Sequence, residues 1–194
     1  MATQPFEHYM IRAKVFDLVP QFYIYDHEGL LVGYCRQKLF KFKEEVVIYT
    51  ERSRETELLR IKARNIIDFT ANYDVKLPNG VAIGSLRRKA LKSTFVRDEY
   101  VVYDDDGIEI ALLQEDSTFR ALFRRGIDAA AAFMPQRFRL NTHDGREIAR
   151  FRQHFNPFIY KLSIAVLEDH EHLDDLMIIA IGVLAAVIDR RQGE

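Results

Sequence analysis

The sequence predicts a mainly β protein: a closed antiparallel barrel of about twelve strands around a buried hydrophobic C-terminal helix, with one more amphipathic helix inserted. Two observations predict the barrel. About a dozen short segments between residues 10 and 166 are rich in Val, Ile, Tyr and Phe, and many alternate between apolar and polar positions as half-buried strands do. After them, residues 176–188 form a run of thirteen positions without a polar side chain.

Size and composition indicate one domain covering residues 1–194. The 194 residues are 48% hydrophobic and 12% aromatic, which is enough for one sizeable core and rather small for two. No Ser/Gly-rich or low-complexity stretch marks a linker.

Charge and cysteine content bound the partners and the compartment. Lys and Arg total 28 against 29 Asp and Glu, a formal charge of −1, so we expect no nucleic-acid partner. Any affinity for an anionic membrane must come from a local patch. The single Cys35 cannot form an intramolecular disulfide, and the N-terminus lacks the basic start and apolar core of a signal peptide. We therefore expect a cytoplasmic protein, peripheral at the membrane if it binds lipid.

The strand segments are separated by regularly spaced turns. Near the end of the chain, Leu162, Ile164 and Val166 alternate with more polar positions, as in a strand with one buried face. Glycine supplies the positive φ that hairpin turns need at residues 26–29, 78–80, 104–107 and 143–145, and a weaker glycine-free turn lies near residues 52–54. The turns recur roughly every 26 residues until a longer last interval, which predicts repeated hairpins with one insertion.

The insertion is predicted to be an amphipathic helix within residues 116–135. Asp116, Ser117 and Thr118 are candidate N-caps, and Pro135 ends the element. One face is apolar, with Phe119, Leu122, Phe123, Ile127, Ala130 and Met134.

The apolar run at residues 176–188 predicts a helix that must be enclosed, because a surface helix shows a polar face. Asp174 and Asp175 before it and Arg190 and Arg191 after it suit the helix dipole. At about 1.5 Å per residue the run measures roughly 20 Å, short of the roughly 30 Å of a hydrocarbon core. An eight-stranded barrel holds only its own side chains, whereas a larger one can hold a helix. A β-sandwich with the helix packed on one end is the competing architecture.

The sequence resembles the tubby C-terminal-like superfamily, in particular the LURP-one-related branch that also includes phospholipid scramblases. The resemblance rests on residues 22–26 with Gly29, on 83–89, on 92–100 and on Ile188 with Asp189. It implies a twelve-stranded barrel around a hydrophobic C-terminal helix. Tubby-like members bind phosphoinositide headgroups through basic side chains on the barrel wall, and scramblase-like members are associated with membranes and calcium. The resemblance assigns no individual residue of this chain to such a site.

The densest positive charge is the predicted anion site, Arg87, Arg88, Lys89, Lys92 and Arg97. Several converging cations suit a phosphate or phosphoinositide headgroup, since arginine offers bidentate bonds and lysine a point charge. In a strand, however, Arg87 and Lys89 share one face and Arg88 takes the other, so convergence requires a bulge or turn. The alternative is a solvated strand edge that resists aggregation.

Two further candidates lie elsewhere. The predicted inserted helix presents Arg120, Arg124 and Arg125 beside phenylalanines, a pattern compatible with a membrane surface, although its apolar face suits covering a barrel mouth. Glu168, Asp169, His170 and His172 are the candidate metal ligands, for calcium or a transition metal; helix capping is the alternative role for the acidic residues that come after them. The triple aspartate before Gly107 fails the EF-hand register and is predicted to be a turn.

Enzyme signatures are missing from the sequence: it has no phosphate-binding glycine loop, G-x-S-x-G elbow or H-E-x-x-H motif. We expect a non-enzymatic binding module without a cofactor, calcium being the one candidate, that acts at anionic phospholipid or phosphoinositide headgroups. The alternatives are a protein-interaction or scaffold role with a protein partner, and scramblase-like membrane activity. The oligomeric state is left open.

Overall fold

A computed structural model describes residues 8–15, 19–36, 45–64, 72–88, 99–115, 136–168, 170–171 and 173–192, with only the backbone for 188–192. It contains twelve strands followed by one helix. The strands are β1 Tyr9–Lys14, β2 Gln21–Asp26, β3 Leu31–Arg36, β4 Glu45–Tyr49, β5 Glu57–Ala63, β6 Asn72–Lys76, β7 Ala82–Arg88, β8 Glu99–Tyr103, β9 Glu109–Glu115, β10 Arg137–Thr142, β11 Glu147–His154 and β12 Ile159–Val166, and the helix is α1, Asp175–Gln192.

The strands form one closed antiparallel barrel in which each strand pairs with its neighbours in the chain. Closure comes from the first and last strands, since Tyr9 of β1 lies opposite Asp26 of β2 on one side and Ile164 of β12 on the other. The barrel prediction is confirmed, and the competing β-sandwich is wrong.

Five hairpins turn at one end of the barrel, which we call the turn end. Four of them close over the same span, and the glycine-free turn is two residues wider, with the Thr50 amide bonded to the Thr56 oxygen (2.9 Å). In each, an amide and a carbonyl pair across the turn, as between the Asp26 amide and the Leu30 oxygen (3.0 Å). The predicted turns are confirmed: Gly29, Gly80, Gly107 and Gly145 have φ near +80 to +86°, and Arg54 takes φ +63° in the glycine-free turn. The triple aspartate is a turn as predicted, because the Asp104 carboxylate accepts a hydrogen bond from the Ile108 amide (2.7 Å).

Helix α1 enters the barrel at the turn end and fills its interior. Asp174 is the N-cap, since its carboxylate accepts a hydrogen bond from the Leu176 amide (2.7 Å). Of residues 177–187 only Ala185 is not fully buried, so the helix is enclosed on all sides. The helix runs beyond the predicted end at residue 188 to Gln192, because the polar residues after the apolar run also favour helix.

Two glycines allow the helix and the wall to approach closely. A Cβ on Gly182 of α1 would lie 2.6 Å from the Ile164 side chain. Gly84 of β7 has φ +150°, and a Cβ there would lie 2.6 Å from the Tyr103 carbonyl oxygen. Glycine is therefore required at position 84, because other residues rarely adopt this φ and their Cβ would clash with the Tyr103 carbonyl oxygen.

The barrel separates inward from outward side chains, so functional groups outside the core must lie on the outer wall or at the two ends. The end opposite the turn end, where residues 155–158 join β11 to β12, is called the far end. The predicted amphipathic helix at 116–135 lies outside the described residues. Within the described part of the chain, no helix is long and apolar enough to cross a membrane.

Candidate functional site

The predicted anion cluster is only partly within the described residues. Arg87 is exposed and Arg88 is half-buried, and their alternation in β7 places them on opposite faces. The Arg87 side chain forms no ion pair with a described carboxylate. Lys89, Lys92 and Arg97 lie outside the described residues. The strand therefore does not bring Arg87 and Arg88 together.

The other two predicted sites remain predictions. Arg120, Arg124 and Arg125 lie outside the described residues, as do Asp169 and His172. Glu168 is exposed and forms an ion pair with Arg146 (3.6 Å), and the His170 backbone pairs with Leu173. The part of the chain that the structure describes holds no cluster of three His, Cys, Asp or Glu side chains able to bind a metal.

A larger basic surface lies on the outer side of four neighbouring strands. Buried residues such as Phe138, Phe151 and Leu162 point into the barrel, so the residues between them point outward. Antiparallel pairing sets β10, β11, β12 and β1 side by side. Their outward positions carry seven cations, which we call the basic wall: Arg12, Lys14, Arg137, Arg139, Arg150, Arg152 and Lys161.

Within the basic wall, like charges lie directly opposite one another across the strands. Arg137 pairs in register with Arg152, and Arg139 with Arg150. Arg12 pairs with Lys161. Opposite charges at such positions stabilise a sheet and like charges destabilise it. The register therefore places repulsive pairs across the basic wall.

The acidic compensation of the basic wall is small. Glu147, which binds Arg150 through both carboxylate oxygens (2.7 and 2.9 Å), is the one carboxylate among the described outward residues of these strands. Arg12, Lys14, Arg137, Arg152 and Lys161 form no ion pair with a described carboxylate. Five of the seven wall cations therefore lack a carboxylate partner among the described residues, in a chain whose net charge is −1.

On the opposite side of the barrel, two arginines bind neighbouring carboxylates. Arg60 of β5 binds Glu57 (2.7 Å) and Glu45 (3.0 Å), and Arg64 binds Asp74 (2.7 Å). The hydrogen bonds from Arg60 lower the pKa of Glu57. Arg60 and Arg64 thus have carboxylate partners, which five of the seven wall cations lack among the described residues, although Arg60 also lies in register opposite Lys76.

Tyrosines border the basic wall on the side of β2 and β3. The Arg12 guanidinium lies 5.2 Å from the centroid of the Tyr25 ring, within range of a cation–π interaction. Tyr23 and Tyr34 both donate a hydrogen bond to the Gln21 side-chain oxygen (3.2 and 2.9 Å). The Tyr25 ring thus contacts Arg12 without neutralising its charge.

One histidine–serine pair lies within the basic wall but is not a catalytic pair. His154 Nε2 lies 2.8 Å from Ser163 Oγ. Ser163 is only 3% exposed, and its hydroxyl donates to the Arg152 carbonyl oxygen (3.3 Å). A substrate cannot reach this hydroxyl, so the pair fixes the two strands. Cys35 is equally unsuited as a nucleophile, because burial raises its pKa to about 12.

A pocket of about 440 Å³ lies at the turn end, beside the start of α1. Its polar lining is already engaged in the fold. The Tyr9 hydroxyl donates to Asp175 (2.7 Å), Asp26 accepts from the Glu28 and Leu30 amides (both 2.9 Å), and His8 Nδ1 accepts from the Val166 amide (3.1 Å). Burial and the bond to Asp175 raise the pKa of Tyr9, so the hydroxyl stays protonated. These groups tie the helix start to β1 and β12.

The sequence contained part of the signal for the basic wall. With the turn at residues 143–145 recognised, an antiparallel hairpin sets Arg139 opposite Arg150 and Arg137 opposite Arg152. No local pattern predicts the pairing of β1 with β12, because this pairing depends on closure of the whole barrel. It is this pairing that adds Arg12 and Lys14 to the basic wall.

Comparison with known proteins gives one match. The family model described as LURP-one-related matches residues 31–186, which is most of the chain. No curated protein and no solved structure matches the chain significantly.

Proposed function

Since this chain belongs to the LURP-one-related family, within the tubby-like superfamily, we propose that it is a binding module for phosphate-bearing anionic headgroups and that the basic wall is its binding surface. The observation that carries the proposal is the pairing of like charges across the wall, where Arg137 lies opposite Arg152 and Arg12 lies opposite Lys161. None of these four cations has a described carboxylate partner. An anionic ligand converts this unfavourable arrangement into a favourable one, because each phosphate oxygen replaces a missing carboxylate.

The chemistry of the wall suits phosphate better than a single carboxylate. Five of its seven cations are arginines, whose planar guanidinium groups bind phosphate with two parallel hydrogen bonds. Neighbouring strands lie about 4.8 Å apart, so cations on adjacent strands can contact different phosphates of one multiply phosphorylated headgroup. Five of the seven wall cations are exposed and the other two are half-buried, as recognition of a lipid surface requires.

The test compares two variants that each lose four positive charges, one at the basic wall and one at the cluster predicted from the sequence. The wall variant carries Arg12→Gln, Arg137→Gln, Arg152→Gln and Lys161→Gln. The cluster variant carries Arg87→Gln, Arg88→Gln, Lys89→Gln and Lys92→Gln, which removes the same four charges from the region predicted by sequence density. Both are measured by co-sedimentation with neutral vesicles and with vesicles containing a phosphoinositide, at low and high salt.

We expect the wild type to bind the phosphoinositide vesicles and to release them at high salt. Each basic residue at an anionic surface contributes about 1 kcal/mol, so the wall variant should bind up to about a thousandfold more weakly. The cluster variant should retain most of the affinity. Loss of binding in the cluster variant alone would move the site to the region of β7 around Arg87. Absence of binding by the folded wild type both to these vesicles and to inositol hexakisphosphate would refute the proposal.

Soluble headgroup analogues extend the test. Inositol hexakisphosphate should displace the protein from vesicles, because it offers the same phosphate chemistry without a lipid. Failure of this competitor to displace the bound protein would show that the vesicle contact does not depend on phosphate recognition.

A further inference from the structure

The connection between β11 and β12 exposes apolar side chains at the far end of the barrel. Phe155 is 59% exposed and Phe158 is 69% exposed. Next to them, Val15 after β1 is 37% exposed and Ile159 at the start of β12 is 38% exposed. We call these four residues the apolar tip. Single exposed apolar side chains are ordinary, whereas a group with two phenylalanines marks a contact surface.

The exposure of the apolar tip is built into its backbone. The Asn156 side-chain oxygen accepts hydrogen bonds from the amides of Phe158 and Ile159, both at 2.9 Å. Pro157 restricts the chain between them. The Val15 amide donates to the Phe158 carbonyl oxygen (3.0 Å), which fixes the connection to β1. These bonds fix the backbone that carries the exposed Phe158 and Ile159 side chains.

The apolar tip and the basic wall adjoin each other. Lys14 directly precedes Val15, and Lys161 follows Ile159 by two residues, or about 7 Å along the strand. Arg152 lies three residues before Phe155, about 10 Å away. Three wall cations, on β1, β11 and β12, therefore lie within about 10 Å of the apolar tip along the chain, which is comparable with the depth to which apolar groups enter the boundary between headgroups and acyl chains.

Resting on the function proposed above, we infer that the ligand of the basic wall is the surface of an anionic bilayer, into which the apolar tip inserts while the wall cations contact the lipid phosphates. A soluble phosphate compound would satisfy the cations but leave the phenylalanines in water. A bilayer satisfies both, because aromatic side chains favour the interface and cations favour anionic headgroups. The far end of the barrel then faces the membrane and the turn end faces away.

The chain contains no tryptophan, so a single introduced tryptophan reports one position without background. Phe158→Trp places the reporter at the apolar tip. Ile108→Trp is the matched control, since Ile108 is 61% exposed but lies in a turn at the turn end. Both proteins are mixed with vesicles of neutral lipid and of neutral lipid plus phosphoinositide, with and without brominated acyl chains as quenchers. Co-sedimentation of the same samples measures binding separately.

With anionic vesicles, the emission of the Phe158→Trp protein should shift to shorter wavelength and be quenched by the bromine atoms, while that of the Ile108→Trp protein should not change. The double variant Phe155→Ser/Phe158→Ser should bind these vesicles about tenfold more weakly or worse. Its affinity for inositol hexakisphosphate should equal that of the wild type. This result would also show that the double variant is folded.

The outcomes separate this inference from the proposed function. Vesicle binding without a shift at position 158, or with an equal shift at position 108, overturns insertion of the tip and leaves headgroup binding intact. Binding of inositol hexakisphosphate without vesicle binding overturns the bilayer as partner. Absence of binding to both overturns the two proposals together.

Discussion

Removing one wall charge should stabilise the protein, and Arg152→Gln is the most informative case. Arg152 lies opposite Arg137, and Lys161 is a diagonal neighbour on β12. None of the three forms an ion pair with a described carboxylate. Arg152 therefore faces two repulsive neighbours in the folded state that are dispersed when the chain unfolds.

The size of the effect follows from Coulomb's law with salt screening. At a charge separation of about 7 Å in water, each repulsion amounts to about 0.6 kcal/mol before screening. Two neighbours then give about 0.9 kcal/mol at 0.01 M salt, about 0.5 at 0.15 M and about 0.1 at 1 M. The free energy of unfolding of Arg152→Gln should exceed that of the wild type by these amounts.

Urea unfolding at the three salt concentrations measures the effect, with Arg60→Gln as the contrasting control. Arg60 binds two carboxylates, so its loss should lower the free energy of unfolding by about 0.5 to 1 kcal/mol at low salt. The two variants should therefore change stability in opposite directions and converge on the wild type at high salt. A clear loss of stability in Arg152→Gln at 0.01 M salt would refute the view that the wall is uncompensated.

Four further predictions concern the fold. Gly84→Ala should lower the free energy of unfolding by about 2 to 4 kcal/mol in urea titrations, because it strains the backbone at φ +150° and meets the Tyr103 carbonyl oxygen; an unchanged midpoint would contradict this. Asp174→Ala should cost about 1 kcal/mol through loss of the N-cap, whereas Asp105→Ala in an exposed turn serves as a neutral control. The hydrogen bonds from Arg60 lower the pKa of Glu57 in the folded state, so the stabilisation by Glu57 is fully present above the usual glutamate pKa of about 4.3 and is lost as the pH falls through the lowered folded-state pKa; the stability difference between wild type and Glu57→Gln should shrink steadily as the pH falls below about 4.3, and a constant difference would contradict the assignment. Cys35, whose pKa burial raises to about 12, should resist iodoacetamide at pH 8 in native protein and react in urea; rapid native labelling would show that its strand opens.

The architecture could be predicted because its determinants are local. Each hairpin carries its own turn signal, and the positive φ of Gly29 or Gly107 is required wherever such a turn closes. The all-apolar run predicts an enclosed helix and a large barrel can hold one, although patterning alone left a β-sandwich with the helix packed on one end as the competitor. The end of α1 was predicted four residues early, because the prediction followed the apolar run, which ends at Ile188. The polar residues after it also favour helix, and α1 continues to Gln192.

The basic wall could be predicted only in part, because it depends on which strands become neighbours. The density of charge along the chain pointed to the region of Arg87, yet alternation separates Arg87 from Arg88. The wall instead collects cations that are distant in sequence. Arg12 and Lys161 lie opposite each other only because the first and last strands close the barrel. A count of charges per segment does not show which strands become neighbours. A register built from the predicted turns gives the pairing of β10 with β11 but not that of β1 with β12.

The most direct test of the headgroup site is to map a ligand onto the strands. Amide chemical shifts of the isotope-labelled protein can be followed while a short-chain, water-soluble phosphoinositide is added, at low salt and again at high salt. We predict salt-sensitive shifts concentrated in β10, β11, β12 and β1, with Arg152 and Lys161 among the largest, and little change near Lys62 and Asp74 on the opposite side. Shifts centred on β7 around Arg87, or no shifts at all in the folded protein, would contradict the assignment of the site to the basic wall.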